Sequence, residues 1–421
     1  MNASLRVGIW AGLVGLGAVI ASAGCNGNGP ATVVSDGGHM LPALLANAGG
    51  PVMKTPVMAP IIWANDPNAS QLAAFFPDLA NSSIFNGQLT QYGLQSLSTE
   101  AVTQIAGPLP TSLTDADLRN VLKQAVAAAA ADGGNVSGLA NGLFIFILPE
   151  GTGFTATINN QTVALCQQAA GYHSFLTVPN APPIIYAVGE QCSLGPPYPS
   201  SPFDMGTIMI SHEVAEAITD PQELDIDPAD QAASQPAWNH TSDYAWQIVL
   251  GEGGEVGDLC NFPWTYFRDP GGFAQQHVYS NSAAQAGGDP CGSPLYYGVA
   301  PPDGTLQPLA IGQSLHLTPL SGLTIPVGQS MTVPLSFFSN LPTDPFQVRV
   351  VNLSDPKGDA GLMTLNLAST QGQNGQVDSL DITVHASGTV SGQAGFEALV
   401  LEGYNFDGGI GALWPLLIAS P

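Results

Sequence analysis

Residues 142–148, Gly-Leu-Phe-Ile-Phe-Ile-Leu, carry no polar side chain over a whole strand length. A strand with one solvated face shows a polar residue at every second position, so this segment reads as a strand covered on both faces. Covering both faces requires layers on either side of a sheet. Val57–Trp63 and Ile184–Val188 read as further strands, and Ser70–Leu79 as a helix. The best-signalled helix begins at Thr114 and Asp117, a capping box across which Leu113 and Leu118 can staple. It runs through Ala131 to the stop at Asp132-Gly133-Gly134. Residues 50–300 therefore read as one α/β (α+β) unit.

The chemistry-bearing stretch is Ser211-His-Glu-Val-Ala-Glu-Ala-Ile-Thr-Asp-Pro221. On a helix, positions i and i+4 lie on one face, so His212 and Glu216 are placed to bind one ion together. Glu213 stands beside them, where zinc hydrolases carry the carboxylate that takes a proton from metal-bound water. Asp204 can cap this helix, and Pro221 ends it by forcing Asp220 out of helical geometry. The same letters also suit a buried helix histidine with two solvated glutamates.

Two ligands do not hold an ion, and Glu255 and Asp258 are the candidates for the third. They flank a glycine in a loop that Cys260 would pin, with Glu255 preferred as ligand and Asp258 as the group orienting His212. Asp220 is the alternative for that orienting role. One histidine with two carboxylates neutralises a divalent ion and acidifies bound water less than two histidines do. Zinc is the expected metal, with calcium or manganese open. His173 could supply a second nitrogen ligand or a hydrogen bond to a developing oxyanion.

Seven Lys plus Arg against 32 Asp plus Glu give a net charge of −25, although only 9% of residues are charged. No basic stripe exists for nucleic acid to bind. Residues 1–24 read as a signal peptide, with Arg6 ahead of the apolar run Val7–Ile20 and a small-residue cleavage site at Ala21-Ser22-Ala23. Ser22-Ala23-Gly24-Cys25 resembles a bacterial lipoprotein box, so Cys25 is a lipidation candidate and the only expected membrane attachment. Residues 25–49 would then form a flexible tether. The expected location is the cell envelope or the medium. Four cysteines remain, and the favoured pairs are Cys166 with Cys192 and Cys260 with Cys291. Each would close a loop of roughly 25 to 30 residues worth about 3 to 4 kcal/mol.

Beyond the linker signal Ala300-Pro301-Pro302-Asp303-Gly304 the apolar period is two, in Gln347–Val351, Leu380–Val384 and Phe396–Glu402. Residues 305–421 read as an all-β, immunoglobulin-like sandwich. His240 and His277 have no motif around them and read as surface residues. Aromatic residues near the motif, Trp238, Trp246, Trp264, Tyr266 and Phe267, leave open a carbohydrate- or cell-wall-binding role beside that of core packing.

His212-Glu-x-x-Glu216 followed by Glu255-Val-Gly-Asp-Leu-Cys260 resembles the phosphate-induced protein 1, or EXORDIUM-like, family of exported proteins, in its bacterial branch. Gly50-Pro51-Val52, Trp63-Ala64-Asn65-Asp66, Tyr92-Gly93 and Cys166 with Gly171-Tyr172-His173 extend the likeness over residues 50–295. Further residues lie between Cys166 and Gly171, where the bacterial pattern usually runs Cys-Gly-Tyr-His. The family's helix looks like that of a zincin metallopeptidase. A zincin-like domain and a metal-dependent, peptidase-like hydrolase are therefore the expectations, with a peptide or cell-wall substrate. The alternative is a non-catalytic extracellular binding protein with a structural metal.

Overall fold

A computed structural model describes residues 42–421 apart from 132–140, 159–160, 180, 195–200, 223–232, 242–253, 261–265, 289, 292–296, 303, 310–320, 340–344, 356–357, 359, 391–392 and 405–411. The expected signal peptide, Cys25, most of the expected tether, Trp246 and Trp264 lie outside the described residues. Two units are present, one of residues 47–239 and 255–279, the other chiefly 280–421. The boundary precedes the expected 300–305 linker, because Tyr297–Ala300 is already a strand of the second unit, paired with Ser336–Ser339.

The first unit is mixed α/β. Its six-stranded sheet has the order Ser98–Thr99, Val57–Trp63 (β1), Gly142–Leu148 (β2), Ile184–Glu190 (β4), Gly171–Leu176 (β3), with Thr103–Ile105 also on β1. β1, β2 and β4 run parallel, and β3 closes the edge antiparallel to β4. The helices that matter for the site are Ala69–Asn81 (α1), Asp115–Ala131 (α2) and Pro202–Thr219 (α3). The apolar run of β2 is central and covered on both sides, as its composition requires. Phe146 and Leu148 pack with Leu118, Leu122 and Val126 of α2, while α3 packs on β4, β3 and β2.

The capping box of α2 forms as its sequence implies: Asp117 Oδ2 accepts from Thr114 N at 2.9 Å and from Thr114 Oγ1 at 2.7 Å. Leu113 and Leu118 meet in one apolar cluster. Sequence reasoning missed the first turn's other task. Asp115 Oδ1 accepts from Tyr172 Oη and from Tyr186 Oη, both at 2.8 Å. Arg119 Nε lies 4.0 Å from Asp115 Oδ2, and its Nη1 donates to Phe175 O at 3.3 Å. Burial, reinforced by the Asp115 charge, pushes both tyrosines well above their ordinary value and keeps them as donors.

Cys166 and Cys192 are joined, with Cα atoms 5.2 Å apart at a sequence separation of 26. The bond ties the chain ahead of β3 to the chain just after β4. Cys260 and Cys291 are also disulfide-bonded. Such bonds persist in oxidising, extracytoplasmic compartments. Among the described residues, no helix is long and apolar enough to cross a membrane.

His277 is buried rather than superficial, its ring 4.7 Å from that of Phe267. Burial lowers its pKa from 6.5 to about 4. Between those values the unfolded chain takes up a proton that the folded chain refuses. Stability is therefore full above pH 6.5, falls as pH drops through the window and levels off below about 4, a loss of about 3 kcal/mol. Urea midpoints measured across this range should show that slope in the wild type and a flatter one in His277→Asn. Identical slopes would refute the assignment.

The second unit is a β-sandwich. A four-stranded sheet, Tyr297–Ala300, Ser330–Ser339, Val377–Val384 and Met363–Leu367, faces a six-stranded sheet containing Ala412–Ala419, Phe396–Tyr404 and Phe346–Asn352. Phe337 meets Phe346 and Phe338 meets Trp414 between them, with ring centroids 6.1 and 6.4 Å apart. The three segments read from their period of two all lie in these strands.

Candidate metal centre

Helix α3 is apolar nearly all round and buried from Met205 to Thr219. Its cap is Ser201, whose Oγ accepts from Asp204 N at 3.2 Å, and not Asp204 as expected. Pro202 opens the first turn, where its missing N–H costs nothing. The Asp204 carboxylate is instead paired with Arg268. The helix ends at Thr219 with Asp220 as its cap residue, in keeping with Pro221.

A helix sunk this deeply must find partners for every polar side chain it carries. His212, Glu213 and Glu216 find them in one another and in three incoming segments. His212 Nε2 lies 3.0 Å from Glu216 Oε1, 3.6 Å from Asp258 Oδ1 and 4.0 Å from Glu213 Oε1. From β3, His173 places Nδ1 3.7 Å from Glu213 Oε2 and 3.7 Å from Glu216 Oε2. Period-two alternation gives β3 this double use, since its neighbour Tyr172 faces α2 on the other side of the sheet. Glu255 Oε1 approaches the far nitrogen, 3.7 Å from His173 Nε2.

Both ring orientations are fixed by groups with no choice of role. Gln276 Nε2 donates to Gly257 O at 2.7 Å, which turns Gln276 Oε1 toward His212 Nδ1 at 3.1 Å. The amide oxygen only accepts, so Nδ1 carries a hydrogen, and in the neutral ring it is Nε2 that offers its lone pair on the side of Glu216 and Asp258. His173 Nε2 donates to the backbone oxygen of Asp220 at 3.1 Å, which leaves Nδ1 for Glu213 and Glu216. A neutral His173 thus has no N–H left for a substrate oxyanion. Gln276 holds the orienting place considered for Asp258 and Asp220, and Asp258 faces the ligating nitrogen. Asp220 Oδ1 accepts from Ala237 N at 2.7 Å.

The backbone is shaped around the cluster. Asp258 N donates to Glu216 Oε1 at 3.0 Å. A Cβ on Gly171 would stand 2.7 Å from Glu213 Oε1, and one on Gly257 2.7 Å from Glu216 Oε1 and 2.8 Å from His212 Nδ1. Burial alone would lower both imidazoles, but the carboxylates facing them outweigh it and lift both well above the ordinary value. Burial raises Glu213 despite the two histidines, whereas the same histidines take Glu216 down to about 2.

Two sets of side chains bring ligand atoms within 4.8 Å of one another: His173 with Glu213 and Glu216, and His212 with Glu216 and Asp258. These buried groups could hold a metal ion. Glu255 belongs to neither set. Of the aromatic residues near the motif, Trp238 is held inward, its Nε1 donating to Tyr92 O at 3.1 Å and its ring edge-on to Tyr92.

The fold and site together define a two-unit, strand-rich protein with a buried candidate metal centre on one face of a mixed sheet. No family model and no curated protein matches the chain. Parts of it are similar to solved structures. Domains 4 and 5 of the S-layer protein SbsC match at 10% identity over 27% of this chain and 45% of that one, with a TM-score of 0.17. The periplasmic chaperone SfaE matches at 16% identity over 23% and 52%, with a TM-score of 0.17. A beta-glucosidase from Listeria innocua matches at 8% identity over 89% and 47%, with a TM-score of 0.15. The chain thus spans about half the length of each.

Proposed function

We propose that this is an exported, divalent-metal-dependent hydrolase of peptidase type, attached to the envelope through lipid at Cys25. Its first unit would be a zincin-like relative of the bacterial EXORDIUM-like proteins, and its second an immunoglobulin-like spacer. One observation carries the reading. Within one buried helix, His212 and Glu216 converge with Asp258 on a single spot, and Glu213 stands beside them with its carboxylate raised by burial.

The donors fit a first-row divalent ion. Each set offers one imidazole nitrogen, which favours zinc or manganese over calcium, an ion that prefers oxygen alone. Such an ion polarises a carbonyl oxygen and makes water a better nucleophile. Glu213 would accept the proton from the attacking water, a task suited to a carboxylate whose pKa burial raises. Gln276 keeps His212 in the ligating tautomer, and Asp258 N holds Glu216 in place.

A second reading has its own support: His173, His212, Glu213 and Glu216 are each only 3% exposed. An ion sealed at that depth would stiffen an extracellular binding protein without catalysing anything. Elemental analysis of wild type against His212→Ala tests the metal itself, and equal, negligible content in both ends either reading. Loss of peptide-library cleavage in a metal-replete Glu213→Gln variant supports the hydrolase. A wild type inert with zinc and with manganese supports the structural ion. Gln276→Ala should weaken metal binding about 10- to 100-fold by freeing the His212 ring, measured by competition with a chromogenic chelator. Unchanged affinity would remove Gln276 from the orienting role.

A further inference from the structure

Glu216 does not face one imidazole but two. Its Oε1 lies toward His212 Nε2 and its Oε2 toward His173 Nδ1, on distinct sides of the carboxylate. Glu213 straddles the same gap, with Oε1 on the His212 side and Oε2 on the His173 side. We propose that the centre takes two divalent first-row ions, one held by His212, Glu216 and Asp258 and one by His173, Glu213 and Glu216, with Glu216 bridging them. The inference rests on the metal-binding reading above and extends it from one ion to two.

Three independent features support the pair. First, the lone pairs are aimed separately. Gln276 commits His212 to Nε2, and the Asp220 carbonyl commits His173 to Nδ1, so each ring directs one nitrogen at a different oxygen of Glu216. An ion held by His212, Glu216 and Asp258 alone leaves His173 Nδ1 facing carboxylate oxygens 3.7 Å away, too far for good hydrogen bonds. Second, the donors suffice. Glu213, Glu216 and Asp258 give the two sets their carboxylates, and Glu255 Oε1 lies 3.7 Å from His173 Nε2 at the rim of the cluster. Third, a carboxylate presenting one oxygen to each of two ions is the usual bridge in two-metal centres, whose ions sit about 3.5–4 Å apart.

A consequence separates the singly and doubly loaded forms. Once Glu213 is a ligand of the second ion it no longer accepts a proton from water, so excess metal would suppress any hydrolysis that one ion supports.

The full chain, stripped by a chelator, is titrated with Mn²⁺ while bound metal is counted by elemental analysis and followed by electron paramagnetic resonance. Two Mn²⁺ per wild-type chain with a spin-coupled signal are expected. His173→Ala and Asp258→Asn should each retain one ion with an uncoupled signal, and Glu216→Gln should lose the coupling. One ion in the wild type, unaffected by His173→Ala, would overturn the pair and leave the His212 site standing. No bound metal at all would overturn both. Two uncoupled ions that survive Glu216→Gln would overturn the bridge. If His173→Ala does not fold, the wild-type stoichiometry and coupling decide the question alone.

Discussion

Asp115→Ala is expected to lower the free energy of unfolding by about 3–5 kcal/mol, seen as a shift of the urea midpoint at unchanged slope. The residue looks like an ordinary acidic helix start, and such residues contribute about 1 kcal/mol or less through the helix dipole. Its surroundings set a larger scale. Asp115 Oδ1 receives the hydroxyls of Tyr172 and Tyr186, and its other oxygen faces Arg119, which is 4% exposed. Truncation takes the counter-charge from a buried guanidinium and the shared acceptor from two buried phenols. Tyr186→Phe removes one donor and no charge, so it should cost about 1 kcal/mol. A loss below about 1 kcal/mol for Asp115→Ala would show that the guanidinium and the two hydroxyls are satisfied without the carboxylate.

Gly257→Ala is expected to weaken metal binding at least about 100-fold while costing about 1–3 kcal/mol of stability. The added methyl would stand within 3.0 Å of Glu216 Oε1 and of two atoms of the His212 ring. Neither neighbour is free to move aside, since Asp258 N holds Glu216 and Gln276 holds His212. The backbone therefore approaches the cluster as closely as a residue without a side chain permits. Metal affinity by chelator competition, beside a denaturation curve, separates the two effects. Wild-type affinity in the variant would mean that the loop carrying Asp258 is loose.

What the sequence revealed was whatever is encoded locally. The apolar run of β2 needs no partner to be recognised, the Thr114–Asp117 box spans a single turn, and His212 with Glu216 follows from helical spacing. The alternating strands of the sandwich were legible for the same reason. What it concealed depends on residues far apart in the chain. Gln276 meets His212 across 64 positions, and Asp115 meets Tyr172 and Tyr186 across 57 and 71. A glutamine and two tyrosines have no spacing signature, and only the sheet's crossovers bring them in. His277 shows the same gap from the other side, because nothing in its neighbours marks it as buried. Asp204 misled for a subtler reason. Ser and Asp both cap helices, and Ser201 ahead of Pro202 was the stronger signal.

The Cys166–Cys192 bond braces the strand that completes the centre. It closes the open end of the hairpin-like pair formed by β3 and β4, and β3 is an edge strand that brings His173 to the helix. While the thiols stay reduced, that rim is the part of the sheet most free to fray, and the imidazole it carries frays with it. The covalent tie thus serves the ligand set directly, because its one strand-borne imidazole sits where the sheet has a neighbour on one side alone.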